Sequence, residues 1–248
     1  MRKRRHGWGG WLLLALLAIG GWLGWREYQR LLREEPERFP WTELSLADPI
    51  GPFTGRKLAA LGGDGARCEG LLAAIGDADR PAPPRRASEP ACGFDDGIAL
   101  RPENRSALRY SPAPLVTACP VAAALALWER ETVQPAALRL LGTRVASVDH
   151  FGSFSCRRLN GRADGGWSEH ATADAIDVAS FRLADGRRIS VLKDWNTSGA
   201  DAAFLRAVRD GACELFATVL SPDYNAAHSD HLHFDQAARG ATGWRGCI

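Results

Sequence analysis

Several signatures of common protein classes are absent from this 248-residue sequence. The 6 cysteines form no C-x-x-C pair, which argues against a zinc ribbon or a thioredoxin motif. The formal net charge is only +2, and no basic stripe with interleaved aromatic residues occurs, so we expect no nucleic-acid partner. No internal repeat is visible. With 46% hydrophobic residues, the chain is long enough to bury one domain core and to carry appendages.

Charge is absent from residues 7–25, GWGGWLLLALLAIGGWLGW, directly after the basic leader MRKRRH at residues 1–6. An uncharged run of this length is typical of a transmembrane helix, and tryptophan near both ends is typical of the membrane interface. We therefore expect a transmembrane anchor at residues 7–25. A cleaved signal peptide is the alternative, but the sequence that follows is bulky and charged. The basic leader predicts a single-pass protein of the inner membrane, with its C-terminal domain in the periplasm.

The remainder divides into a juxtamembrane helix and linker at residues 26–54 and one domain at residues 55–248. The 6 cysteines are widely spaced and even in number, which predicts three disulfides in an oxidising compartment. Sequence alone does not select their pairing. The stretches AIDVASFRL and RRISVL predict a β-hairpin, residues 201–220 predict an amphipathic helix, and residues 114–142 predict two helices. Without a repeating βαβ rhythm, the fold class is α+β, a small and mostly antiparallel sheet flanked by helices.

Histidine is scarce, yet HSDHLHFD at residues 228–235 holds 3 of the 6 histidines. On a strand, His231, His233 and Asp235 project from one face, whereas Leu232 and Phe234 project from the other and can enter the core. A second polar group, SEHATADAID, contains His170 and Asp177. On one continuous helix these two would lie about 10 Å apart, too far to share an ion. We therefore expect His170 on a loop and Asp177 on the following strand.

His170, Asp177 and His233 would supply three nitrogen and oxygen ligands and leave a fourth position open. That pattern is typical of catalytic zinc sites rather than of closed structural ones. The sequence therefore predicts zinc as the cofactor.

These segments resemble known families. SEHATADAID and HLH are similar to the S-x-H-x-x-G-x-A-x-D and H-x-H motifs of the D-Ala-D-Ala metallopeptidases, within the LAS superfamily that also contains hedgehog-type zinc domains. From about residue 60 to residue 248, the fragments CGF, ACP, VQPAA, GSFSCR, SEHATADAID and DHLHFD resemble the bacterial extensin-like C-terminal domain family. The resemblance implies a hedgehog-like or D-Ala-D-Ala-peptidase-like fold.

The resemblance also implies roles for further residues. His231 matches the first histidine of H-x-H, which assists the water or the transition state. Asp230 lies where the D-Ala-D-Ala enzymes keep a glutamate base, and either Asp230 or His231 can be the base. Arg157 falls near the arginine that holds substrate in those enzymes, although SCR replaces their usual YRS. Ala173 stands where the motif has glycine.

The first hypothesis is a membrane-anchored zinc metallopeptidase of the cell envelope that hydrolyses a peptide bond in peptidoglycan stem or cross-bridge peptides. The second is a non-enzymatic envelope-binding module that retains the zinc site. The third is a disulfide-held structural domain without metal.

Overall fold

The computed structural model describes residues 8–76, 80–100, 108–239 and 244–248, so the basic leader at residues 1–6 lies outside the described residues. The helices are α1 (Trp8–Glu34), α2 (Thr54–Ala59), α3 (Gly65–Ala74), α4 (Cys119–Trp128), α5 (Gln134–Leu141), α6 (Val191–Asp194) and α7 (Ala200–Leu215). The strands are β1 (Arg80–Pro81), β2 (Arg85–Arg86), β3 (Gly93–Phe94), β4 (Gly97–Leu100), β5 (Arg109–Ser111), β6 (Leu115–Ala118), β7 (Val145–Gly152), β8 (Ala175–Leu183), β9 (Arg188–Ser190), β10 (Thr218–Leu220), β11 (Leu232–Asp235) and β12 (Gly246–Cys247).

The main sheet has the strand order β12-β10-β11-β8-β7-β5, with β9 paired to β8. Its central pairs, β10 with β11, β11 with β8 and β8 with β7, are antiparallel, and its two outer pairs are parallel. A smaller sheet has the order β1-β4-β6. A mixed sheet with packed helices confirms the α+β prediction.

The core lies between the main sheet and helices α4, α5 and α7. Trp128, at the end of α4, is fully buried and contacts the rings of Phe181 from β8 and Phe234 from β11. Its indole N–H donates to the carbonyl of Val208 in α7 at 2.8 Å, which satisfies the one polar atom of the ring. The apolar face of β11 is therefore fixed in the core, and its opposite face is left for the polar residues.

One of the predicted helices has a different end in the structure. The hairpin is confirmed as β8 and β9, but the helix expected over residues 201–220 ends at Leu215, and residues 218–220 form β10 instead. Two β-branched residues, Thr218 and Val219, occupy this strand and pair with both β11 and β12. The two helices expected within residues 114–142 are present as α4 and α5, and strand β6 precedes the first of them. Only at the C-terminal end of α7 does tertiary strand pairing override local helix periodicity.

The transmembrane anchor predicted at residues 7–25 is wrong. Among the described residues, no helix is both long enough and apolar enough to cross a membrane. Helix α1 continues past the uncharged run into the charged segment REYQRLLRE, and Gly20, Gly21 and Gly24 dilute its aliphatic residues. The single-pass inner-membrane location rested on this anchor and is wrong with it.

The six cysteines form three disulfides, as predicted: Cys68–Cys119, Cys92–Cys156 and Cys213–Cys247. The first joins α3 to α4, the second joins the segment before β3 to the segment after β7, and the third joins α7 to β12. Disulfides of this kind are typical of oxidising compartments outside the cytoplasm.

We therefore predict that denatured, unreduced protein contains almost no free thiol, because every cysteine is in a disulfide. Ellman titration of the full-length chain measures this, and the same sample after reduction should titrate all 6 cysteines. Reduction should lower the free energy of unfolding by about 2–4 kcal/mol per bond. Several free thiols in protein isolated under oxidising conditions would contradict the pairing.

Candidate metal centre

Two neighbouring strands, β8 and β11, and one short turn before β8 bring the candidate ligands together. Strand β11 lies antiparallel to β8, with His233 directly opposite Asp177 in the register. Leu232 and Phe234 are fully buried on the other face of β11, so strand alternation turns His233 away from the core. Both predicted placements on strands, Asp177 on β8 and His233 on β11, are therefore confirmed.

His170 lies in a 3-10 turn over Glu169–Thr172, between the segment after β7 and strand β8. The Ser168 hydroxyl accepts from the His170 N–H at the start of the turn. Ala173 then closes the turn in the left-handed conformation, with φ 59° and ψ 19°, and reverses the chain into β8. This reversal lets His170 and Asp177 approach each other, as the sequence required.

Three imidazole nitrogens surround one oxygen, Oδ1 of Asp177. His233 Nδ1 lies 2.9 Å from it and His170 Nε2 lies 3.3 Å from it. His231 Nε2 lies 3.4 Å from the same oxygen. The His170 and His233 nitrogens are 3.2 Å apart. These side chains are largely buried, with His170 only 3% exposed, so the groups face each other with little solvent.

The other nitrogen of each ring has an acceptor of its own. His170 Nδ1 lies 2.7 Å from the Ser153 carbonyl oxygen, which can only accept, so Nδ1 carries the proton. His233 Nε2 lies 3.2 Å from the Asp235 carboxylate. In the neutral rings, the lone pairs of His170 Nε2 and His233 Nδ1 are then directed toward the Asp177 carboxylate. Three electron pairs meeting in this way require a cation between them, either a proton or a metal ion.

The close contacts between Asp177 and the histidines shift the pKa values of Asp177 and His233. Burial alone would raise the pKa of Asp177, but hydrogen bonds and charge interactions with His170 and His233 hold it well below its usual range. Burial would lower the pKa of His233, but hydrogen bonds to the carboxylates of Asp177 and Asp235 raise it to about 9. In the metal-free protein a proton on His233 therefore supplies the missing cation.

The same three side chains could hold a metal ion. Their ligand atoms all lie within 4.8 Å of one another. Two ligands that are each about 2.1 Å from one tetrahedral ion lie about 3.4 Å apart. The observed separations of 2.9, 3.2 and 3.3 Å are close to that value. In proteins, metal-bound histidines usually donate their second N–H to a carbonyl or a carboxylate, as both rings do here. The residues therefore fit a metal.

The remaining predicted site residues lie beside this group. The Asp230 carboxylate lies 2.8 Å from His231 Nδ1, on the side of the ring away from Asp177. The Arg157 guanidinium lies 4.0 Å from Oδ2 of Asp177, and its side chain is 48% exposed. The structure thus brings all the predicted site residues into one cluster.

Several residues of the cluster were not predicted as part of the site. The Ser153 carbonyl holds His170, and the Phe151 ring meets His231 edge to face. The His228 ring lies 5.2 Å from that of His231, and burial together with the neighbouring histidines lowers its pKa to about 4. A backbone carbonyl leaves no sequence signal. Phe151 joins the cluster through the pairing of β7 with β8, which has no local sequence signal, whereas His228 lies within HSDHLHFD and could have been included from the sequence.

We predict that Ala173→Val destabilises the protein by about 2–4 kcal/mol, because a β-branched side chain is strongly disfavoured at positive φ and the site is fully buried beside Phe94 and Ala82. Ala173→Gly should change the free energy of unfolding by less than about 1 kcal/mol, because relief of the left-handed alanine is offset by a lost buried methyl group and a freer unfolded chain. Urea unfolding of the two variants measures both. A valine variant as stable as the wild type would contradict the left-handed turn.

Comparison with known proteins places this site within a family. Searches of the curated proteins and of the solved structures give no match. The extensin-like resemblance is confirmed, whereas the resemblance to the D-Ala-D-Ala metallopeptidases stays a prediction. Residues 66–248, most of the chain and all of the site, match the family model described as extensin-like protein C-terminus, and the chain therefore belongs to that family.

Proposed function

We propose that this protein is a zinc-dependent peptidase that hydrolyses a peptide bond in peptidoglycan stem or cross-bridge peptides, outside the cytoplasm. The observation that carries the proposal is the convergence of His170 Nε2, His233 Nδ1 and Asp177 Oδ1, whose lone pairs all point inward when both rings are neutral. Two imidazoles and one carboxylate match the ligand sets of catalytic zinc sites. The substrate class rests on the similarity of SEHATADAID and HLH to the D-Ala-D-Ala metallopeptidases.

His170, Asp177 and His233 would hold the zinc ion, which supplies a Lewis acid that polarises a carbonyl and acidifies water. The protein supplies the proton transfer. Because Asp230 accepts the Nδ1 proton of His231, the Nε2 lone pair of His231 faces Asp177. His231 Nε2 is therefore the general base that takes a proton from the attacking water and returns it to the leaving amine. In this assignment Asp230 orients the base and is not the base itself.

The groups that would bind substrate lie at the rim of the site. Arg157 is half-exposed, and its guanidinium can donate to a substrate carbonyl or carboxylate. Phe151 is 60% exposed beside His231 and offers an apolar wall for a peptide side chain. His228, neutral near pH 7 because its pKa is about 4, adds no positive charge. Arginine is thus the group that selects an anionic or carbonyl-bearing ligand.

The test compares His233 on β11 with His231, which directly precedes that strand, because the two histidines differ in their proposed roles. His233→Ala removes a ligand, so the full-length protein should retain almost no zinc by elemental analysis. His231→Ala makes the same truncation two residues away but should keep zinc near one per chain. It should lower the hydrolysis of purified muropeptides, followed by mass spectrometry, by about 10²–10⁴-fold.

Three outcomes separate the competing functions. Zinc with cleavage supports the peptidase. Zinc with muropeptide binding but no cleavage would favour the non-enzymatic envelope-binding module. A wild-type chain that takes up no zinc would overturn the metal site and leave the structural domain. Loss of zinc from His231→Ala as complete as from His233→Ala would show that the ligand assignment is wrong.

A second prediction concerns pH. The folded-state pKa of His233 is raised to about 9, so in the metal-free protein its proton stabilises the fold fully below about 6.5, and this stability is lost as the pH rises through about 9. Zinc must displace that proton. We therefore expect the zinc Kd to fall by up to about tenfold for each unit that the pH rises between 6.5 and 9. Chelator competition measures it, and a Kd independent of pH over that range would show that zinc binding displaces no proton from His233, which would contradict the raised pKa.

A further inference from the structure

Asp235 is a buried carboxylate that none of the proposed catalytic steps uses. It is 5% exposed and lies on the same face of β11 as His233, two residues further along the strand. A buried carboxylate is costly unless hydrogen bonds compensate the charge. Both of its oxygens are occupied: Oδ1 accepts from the Ala237 N–H at 3.1 Å, and Oδ2 lies 3.2 Å from His233 Nε2.

The Ala237 contact fixes the direction of the carboxylate. The Asp235 backbone is held as well, because its carbonyl accepts from the N–H of Ala217, the residue that follows Phe216 and precedes β10, at 2.8 Å. The carboxylate therefore meets the imidazole from a fixed position. It does not follow the ring as a mobile surface acid would.

The two imidazoles of the site differ in their outer acceptors. His170 donates to a neutral backbone carbonyl, whereas His233 donates to a charged side chain. If the His233 ring flipped about its Cβ–Cγ bond, Nδ1 would leave Asp177 and a carbon atom would face the site. A charge-assisted hydrogen bond at Nε2 opposes that flip more strongly than a neutral one.

We propose that Asp235 is a positioning residue whose carboxylate accepts the Nε2 proton of His233 and so presents the Nδ1 lone pair to the metal ion. The inference rests on the proposed zinc site and concerns metal affinity, not a step of the reaction. Asp235 touches neither the substrate nor the metal. Outer partners of this kind typically change metal affinity by 10–100-fold.

The experiment measures the zinc Kd of the full-length protein by chelator competition in three variants. Asp235→Ala should raise the Kd by about 10–100-fold, and Asp235→Asn, which keeps an acceptor oxygen but no charge, should have a smaller effect. Asp230→Ala is the matched control, since Asp230 also pairs with a histidine ring, but one that is not a ligand. The zinc Kd of Asp230→Ala should change by less than about threefold, because Asp230 orients no ligand of the ion.

A second readout separates positioning from general stability. The absorption spectrum of the Co²⁺-loaded protein reports the ligand set, so Asp235→Ala should alter it, whereas Asp230→Ala should not. If Asp235→Ala does not fold, Asp235→Asn carries the test with the same two readouts. A wild type that binds zinc, with both Asp235 variants unchanged in Kd and spectrum, overturns this inference and leaves the proposed function intact. A wild type that binds no zinc overturns both.

Discussion

Oδ1 of Asp177 is the atom on which the site depends, because three imidazole nitrogens lie within 3.4 Å of it. A buried carboxylate pays a large desolvation cost, and only cationic or hydrogen-donating neighbours offset it. Each of the three rings has an acceptor for a proton on its other nitrogen, so in the neutral rings the lone pairs are turned toward the carboxylate. The lone pairs repel one another unless a proton on His233 or a metal ion lies between them. The proposed chemistry requires the metal ion.

The rest of the fold holds that convergence in place. The antiparallel register of β8 and β11 sets Asp177 opposite His233, and the apolar side chains of β11 anchor the strand against Trp128. The segment after β7 holds His170 twice, since the Ser153 carbonyl meets its ring and the Ser155 N–H donates to its carbonyl at 2.8 Å. The Cys92–Cys156 disulfide ties that segment to the strand β3 region. An oxidising compartment therefore supports the geometry of the site as well as the stability of the fold.

The sequence predicted those parts of the structure that depend on short-range periodicity. The alternation of apolar and polar residues in HLHFD distinguished the core residues from His233. The short spacing from His170 to Asp177 predicted a chain reversal, which Ala173 makes. Contacts from distant segments were not predictable in this way: the Ser153 carbonyl and the Phe151 ring join the site only through tertiary packing. The anchor at residues 7–25 was wrong because an uncharged run that contains glycine and tryptophan is less apolar than its length suggests. The helix end at Leu215 was missed because strand pairing decided it.

Crystals of the full-length protein grown with zinc, with anomalous diffraction recorded at the zinc edge, test the central claim most directly. The account predicts one strong anomalous peak in bonding contact with Nε2 of His170, Nδ1 of His233 and Oδ1 of Asp177, with the Nε2 atom of His233 still facing Asp235. The account would be contradicted if the centre of this cluster held no peak while His233 Nδ1 kept its hydrogen bond to Asp177.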